Sequence, residues 1–299
     1  MKHALVTLWQ FTRPHTIIGS ALSVTSIYAL VLSLPEAHPD HLGAWLPSLL
    51  AALGCNVFIT GLNQWSDVEV DRINKPWLPI PAGRLTRAAA LRIVLISLAV
   101  ALVTAMFLSW SFFALIALIS FLGWAYSMPP IQFKRHHFGA ALAITVVRGV
   151  LVNLGFYTHY RAMIAGGGGL DPVVVPLTFF VALFSIGIAW FKDIPDTRGD
   201  AEYRFGTLAV RMGRPAALWL GVLVTGLAYL SVLIPAWNGS LPHASWYSFS
   251  FGIPLVLFVL MALRLEVDND VQVKRFYLFF WGLFFLAYAV YPLPLILHP

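Results

Sequence analysis

The chain has 299 residues, 59% of them hydrophobic and 11% charged, with a mean hydropathy of +0.79. A soluble domain of this length has no core large enough to absorb that much apolar surface, so the composition excludes a water-soluble globular protein and makes the bilayer the solvent. The net charge of +6 does not point to nucleic acid, because the basic residues are distributed as membrane topology dictates.

The opening residues, MKHALVTLWQFTRPHT, hold neither a signal-peptide cleavage pattern nor a long Ser/Arg-rich transit stretch, so a mature prokaryotic chain is expected. Beyond them, apolar windows predict membrane helices near 16–34, 46–64, 88–108, 111–127, 138–157, 173–191, 215–235, 246–263 and 277–296. The expectation is an all-α integral membrane bundle of about nine transmembrane helices, with residues 1–299 as one domain. The single cysteine, Cys55, lies inside an apolar run, so one chain can build neither a disulfide framework nor a thiolate metal site.

Seventeen of the nineteen Lys and Arg residues fall on the N-terminus and the even-numbered connections; the exceptions are Arg148, inside the fifth span, and Arg161. The positive-inside rule therefore puts the N-terminus in the cytoplasm and the C-terminus outside. One missed helix would scramble this asymmetry, so it also supports the span count.

The first chemical constellation is Asn63-Gln-Trp-Ser-Asp67-Val-Glu-Val-Asp71-Arg72-Ile-Asn-Lys75-Pro76, expected to prolong the second span until the proline stops it. Asn63, Asp67 and Asp71 are four apart, so a helix stacks their oxygens on one face. Carboxylates at that spacing repel one another near the hydrocarbon unless a divalent cation neutralises them. Oxygen-only ligands point to magnesium, which binds through one or two carboxylates plus substrate phosphates. The second constellation, Lys192-Asp193-Ile-Pro-Asp196-Thr-Arg198-Gly-Asp200, follows span six on the same side, where Pro195 and Gly199 disfavour a continuous helix. Two acidic segments at one mouth imply two magnesium ions bracketing one diphosphate. The competing interpretation is a pair of solvated acidic loops complementing neighbouring basic residues.

The pattern Asn-x-x-x-Asp-x-x-x-Asp, followed four spans later by Asp-x-x-x-Asp, resembles the UbiA superfamily of intramembrane prenyltransferases. The strings WQFTRPHTIIGS, NQWSDVEVDRINKPWLPIPAG, YSMPPIQFKR, VRGVLVNLGFYTHY and KDIPDTRGDAEYRFGTLAVRMG are similar to its homogentisate prenyltransferase branch, which includes phytyltransferases of tocopherol and prenylquinone synthesis. The resemblance implies that Asn63, Asp67 and Asp71 hold one magnesium ion and Asp196 and Asp200 the other, with Asp193 as an extra ligand or supporting group. It implies Arg13, Arg72, Lys75, Lys134, Arg135 and Lys192 as diphosphate clamps, each of which has an ordinary positive-inside reading as well. The four carboxylates Asp67, Asp71, Asp196 and Asp200 would carry catalysis, ionising the allylic C–O bond so that a prenyl carbocation forms in a water-shielded pocket.

Tyr126, Trp65, Phe156 and Tyr157 are candidate cation–π partners for that carbocation, although aromatics also fill membrane cores. Arg148, with Asn153 five residues on, must face a partner, a cavity or an anionic ligand; an acceptor carboxylate, a protein carboxylate and helix-end carbonyls all qualify. His136, His137 and His159 lack metal-ligand spacing, and Gly166 to Gly169 lacks the lysine of a phosphate-binding loop. The expected reaction is decarboxylating C-prenylation of homogentisate with a phytyl or geranylgeranyl donor. It would take place in a prokaryotic inner or thylakoid membrane with the site facing the cytoplasm, without nucleic acid or an obligate protein partner. The alternatives are 4-hydroxybenzoate, another phenol or a chlorin as acceptor, or an ion transporter with an acidic vestibule.

Overall fold

The computed structural model describes residues 2–38 and 42–297. Among them are nine helical spans long and apolar enough to cross a bilayer, and each coincides with one of the windows expected from hydropathy. In chain order the helices are α1 (Lys2–Phe11), α2 (Pro14–Leu32), α3 (Leu42–Ser66), α4 (Val68–Asn74), α5 (Arg87–Leu108), α6 (Trp110–Ser127) and α7 (His137–Ile144). A wide-turn π segment, Thr145–Gly155, joins α7 to α8 (Phe156–Ile164), and the three pieces make one span. There follow α9 (Val174–Asp193), α10 (Thr197–Glu202), α11 (Leu208–Met212), α12 (Arg214–Trp237), α13 (Ala244–Leu263), α14 (Asp270–Val290) and α15 (Leu293–Leu297).

Helix ends overrun the apolar windows where capping, which hydropathy does not register, sets the boundary. The last span starts at Asp270 because the Asn269 side chain accepts from the Val271 and Gln272 amides. Ser109 ends α5 and caps α6 through the Phe112 amide at 3.1 Å, which is how two spans turn within so few residues.

Three apolar clusters form the core, a small one around Phe58, Leu62 and Val94 and two larger ones. Of the larger two, one joins α9, α12, α13 and α14 around Phe180, Phe184, Tyr229 and Phe280, and the other joins α2, α3, α5, α6 and α8 around Ile27, Ala51, Phe112 and Tyr160. Between bilayer-solvated helices, close packing replaces the hydrophobic drive. Gly149 of the π segment meets α9 so tightly that a Cβ there would stand 2.5 Å from the Ala182 Cα. Leu95, Phe107, Trp110, Phe249 and Leu278 face outward, as a lipid-exposed exterior requires.

One expectation needs correcting. The second span does not continue unbroken to Pro76: α3 ends at Ser66, Asp67 leaves helical geometry (φ −102°, ψ 15°), and α4 restarts at Val68. The i to i−4 backbone bonds nevertheless persist from Asp67 to Asn63 and from Asp71 to Asp67, at 3.0 and 2.7 Å, so the four-residue stacking of the side chains survives the break.

Candidate active site

The ends of α3 and α9 emerge on the same side of the bundle, where α4 packs against α10. Asn74 ties the two together: its carboxamide oxygen accepts from the Gly199 amide at 2.9 Å, and its nitrogen donates to Asp200 at 3.3 Å. Position 199 takes glycine because any side chain would collide with the Asn74 carboxamide. A second tie joins the loop after α6 to the loop after α10, with the Gly206 amide donating to the Arg135 carbonyl at 2.8 Å.

These ties bring Asn63, Asp67, Asp71, Asp193, Asp196 and Asp200 to one small mouth of about 40 Å³, together with Arg13, Asn74, Lys75, Lys134, Lys192 and Tyr126. Each lysine meets an acid, two of them across the mouth. Lys134 donates to Asp67 at 2.5 Å and to Ser66 at 2.6 Å, Lys75 pairs with Asp196, and Lys192 lies 3.2 Å from both Asp193 and the Tyr126 hydroxyl. Asn63 donates to Asp67 at 2.9 Å. Asp71 is 4% exposed, and its Oδ2 has no hydrogen-bond partner.

Below the mouth lies an apolar cavity of about 210 Å³ between α2, α3, α6, the π segment, α9 and α14. Arg13, Asn63, Tyr126 and Lys192 line both spaces and so mark their junction. Arg13 is turned toward the junction by a left-handed backbone (φ 53°) between α1 and α2, held where Gln64 donates to the Phe11 carbonyl at 2.5 Å. Arg148 lines the cavity wall, its guanidinium carbon 4.8 Å from the Trp281 ring centroid and 5.5 Å from that of Phe284, with Nη1 buried and unpartnered.

Not every residue expected at the site is brought to it. Arg72 points outward and pairs with Glu69, because it sits one position off the Asn63, Asp67, Asp71, Lys75 face. Arg135 lies over the Phe205 ring, outside the mouth lining. Asn153 does not line the cavity: it donates to the Arg148 and Gly149 carbonyls at 3.0 and 2.8 Å and accepts from the Tyr288 hydroxyl at 3.0 Å. It thus satisfies backbone acceptors of the π segment and holds Arg148 in place. Tyr157 is buried in the α2–α8 cluster, and Trp65 packs beneath Arg87 near α1. Phe156 does line the cavity. Asn74 was missed, although its position seven residues after Asp67 puts it on the acidic face.

The UbiA prenyltransferase family profile matches residues 22–291. This chain belongs to that family. It is similar to homogentisate phytyltransferase of Synechocystis, at 36% identity over 96% of this chain and 94% of the relative. It also resembles homogentisate geranylgeranyltransferase of wheat, at 34% identity over 96% of this chain and 72% of the relative. The fold matches a UbiA homologue from Archaeoglobus fulgidus bound to GPP and Mg2+, with a TM-score of 0.67 and 18% identity over 97% of this chain and 99% of that one.

The mouth of this UbiA-family chain fits a divalent cation by its donor set. It concentrates carboxylate and carboxamide oxygens, leaves one carboxylate oxygen of Asp71 buried without a partner, and meets four of its acids with lysine ammonium groups. Among the described residues no three acidic, histidine or cysteine side chains converge tightly enough to cage an ion alone. Magnesium suits such a site, since it keeps waters and shares its shell with substrate phosphates.

The same geometry raises two of the acids. Burial, helped by Asp67 and Asp196 and opposed by Lys75 and Arg13, pushes the Asp71 carboxyl up to about 6. Burial, helped by Asp193 and Asp196, pushes Asp200 up to about 7. Lys75 is depressed by burial, but Asp196 and Asp71 more than offset this and hold it above its ordinary value; for Lys134 burial outweighs Asp67 and lowers it. Acids raised in the folded state contribute stability below the ordinary carboxylate value of about 3.9 and lose it as pH rises through the folded values. Metal-free protein in detergent is therefore expected to melt at a lower temperature as pH goes from about 4 to about 8, through the interval set by Asp71 and Asp200. Added magnesium should raise the melting temperature most at the upper end, because it binds the deprotonated form. Thermal unfolding with EDTA and with magnesium across that range checks both signs.

Proposed function

We propose that this prenyltransferase joins a phytyl or geranylgeranyl group to the ring of homogentisate, with loss of carbon dioxide. One observation carries the reading: an acidic and basic mouth opens at Tyr126 and Lys192 onto an apolar cavity whose wall presents the guanidinium of Arg148, with Nη1 unpartnered. The names of the relatives at 36% and 34% identity support the acceptor.

Asn63, Asp67 and Asp71 on one side and Asp193, Asp196 and Asp200 on the other would hold magnesium, one ion to each acidic segment, and the metal would supply charge neutralisation for the departing diphosphate. Lys75, Lys134 and Lys192 exchange their carboxylate partners for diphosphate oxygens, and Arg13 at the junction joins them. The allylic carbon is thereby left at the junction, beside the Tyr126 ring, whose face stabilises developing positive charge. The cavity takes the isoprenoid tail and excludes water from the cation. Arg148 receives the acceptor's carboxylate and turns its ring toward the junction. Among the described residues the cavity lining contains no Asp or Glu, which disfavours an ion path across the bundle. The distribution of basic residues supports a cytoplasmic mouth and N-terminus, and the chain works as one domain without nucleic acid or an obligate protein partner.

The test is purified protein in detergent with magnesium, carboxyl-labelled homogentisate and either phytyl or geranylgeranyl diphosphate. Prenylated product with release of the label, abolished by EDTA, is the expected result. Turnover only when 4-hydroxybenzoate or another phenol is supplied would overturn the acceptor while keeping the enzyme class.

A further inference from the structure

The RPHT segment places Arg13, His15 and Thr16 on the cavity lining, and the imidazole of His15 has no part in the reaction proposed for the site. His15 and Gly19, four residues apart, share a face of α2 that turns toward α14. A Cβ at Gly19 would stand 3.2 Å from the Trp281 ring, so the absence of a side chain lets that indole lie against α2. His15 meets the same indole edge to face, with ring centroids 4.9 Å apart, and Tyr277 at 6.5 Å. Arg148 covers Trp281 at 4.8 Å. A single indole therefore sets the positions of both polar groups, the imidazole from α2 and the guanidinium from the π segment. Both line the cavity, with Tyr126 at the junction above them. His15 packs against aromatic rings and also faces the charges of Arg13 and Arg148, and no hydrogen bond joins its ring nitrogens to another described side chain.

Because Arg148 and His15 both lie against Trp281, an aryl carboxylate anchored on Arg148 would bring a ring substituent to His15. A neutral imidazole nitrogen there accepts a hydrogen bond from a hydroxyl and offers nothing comparable to a bare ring carbon. We propose that His15 recognises a ring hydroxyl of the acceptor and so selects hydroxylated aryl acids. This rests on the reading that the acceptor is such an acid.

The experiment compares phenylacetate with 3-hydroxyphenylacetate and 2-hydroxyphenylacetate as inhibitors of homogentisate prenylation. The proteins are wild type, His15→Phe, which retains the ring packing without the nitrogens, and His15→Asn, which retains a hydrogen-bonding group. In wild type at least one hydroxylated analogue is expected to bind about tenfold more tightly than phenylacetate, the worth of one shielded hydrogen bond. In His15→Phe the ratio should fall to near one, in His15→Asn it should recover in part, and the KM for prenyl diphosphate should stay put in both. Displacement of labelled homogentisate by the same analogues gives the ratio if a variant turns over too slowly. A ratio unchanged in His15→Phe overturns the assignment, including the case where all analogues weaken together because the residue only packs Trp281. Failure of the wild type to prenylate homogentisate overturns the underlying reading, and His15's role with it, whereas turnover with an unchanged ratio overturns His15 alone.

Discussion

Replacing Asp67 or Asp196 with asparagine is expected to slow prenyl transfer on the order of a thousandfold or more, the scale of losing a metal ligand or a main electrostatic stabiliser of the leaving group. Asparagine is the informative substitution because each acid also holds a lysine: Asp67 receives Lys134, and Asp196 receives Lys75. Alanine would leave a buried ammonium beside a void and mix a folding defect with the catalytic one. With the amide, shape and hydrogen-bonding capacity stay while the charge goes. Turnover should therefore collapse even though the protein extracts and elutes like wild type, and raised magnesium should recover part of the loss. Near-normal activity in either variant, measured at saturating donor, would remove these two residues from the metal site.

Arg148→Met is expected to lower kcat/KM for homogentisate by roughly a hundredfold, the worth of a shielded hydrogen-bonded charge. The KM for prenyl diphosphate should remain as it was. The same substitution should keep or raise the melting temperature, because it removes a cation that has an unpartnered nitrogen and only aromatic faces beneath it. Loss of acceptor affinity with gain of stability is the signature of a residue kept for binding. A variant that melts earlier and uses both substrates equally poorly would instead make Arg148 structural.

Much of this was legible in order along the chain. The repeat of four from Asn63 through Asp67 and Asp71 to Lys75 is a helical face written in sequence, and it separates Lys75, which reaches Asp196, from Arg72, which points outward to Glu69. Arg148 was conspicuous as a charge inside a span. Asn153 was also visible, yet its part was not, because only the π geometry of Thr145–Gly155 turns carbonyls of Arg148 and Gly149 toward its side chain. Lys134 and Arg135 are adjacent and alike by any local measure, but one is buried against Asp67 and the other lies over Phe205. His15 carried no spacing signal, since its neighbours in space, Trp281 and Arg148, are far away in sequence.

The sequence by itself determined the membrane bundle, its span count, the emergence of both acidic segments at one end and the family resemblance, because hydropathy, charge asymmetry and four-residue spacing are local quantities that survive without coordinates. Only the tertiary structure decided which lysine meets which acid, how Asn74 locks α4 to α10, and that a single indole positions Arg148 and His15 at one cavity. Those pairings depend on the crossing and depth of helices distant in the chain. Side-chain packing sets these, and no periodicity along the chain records them.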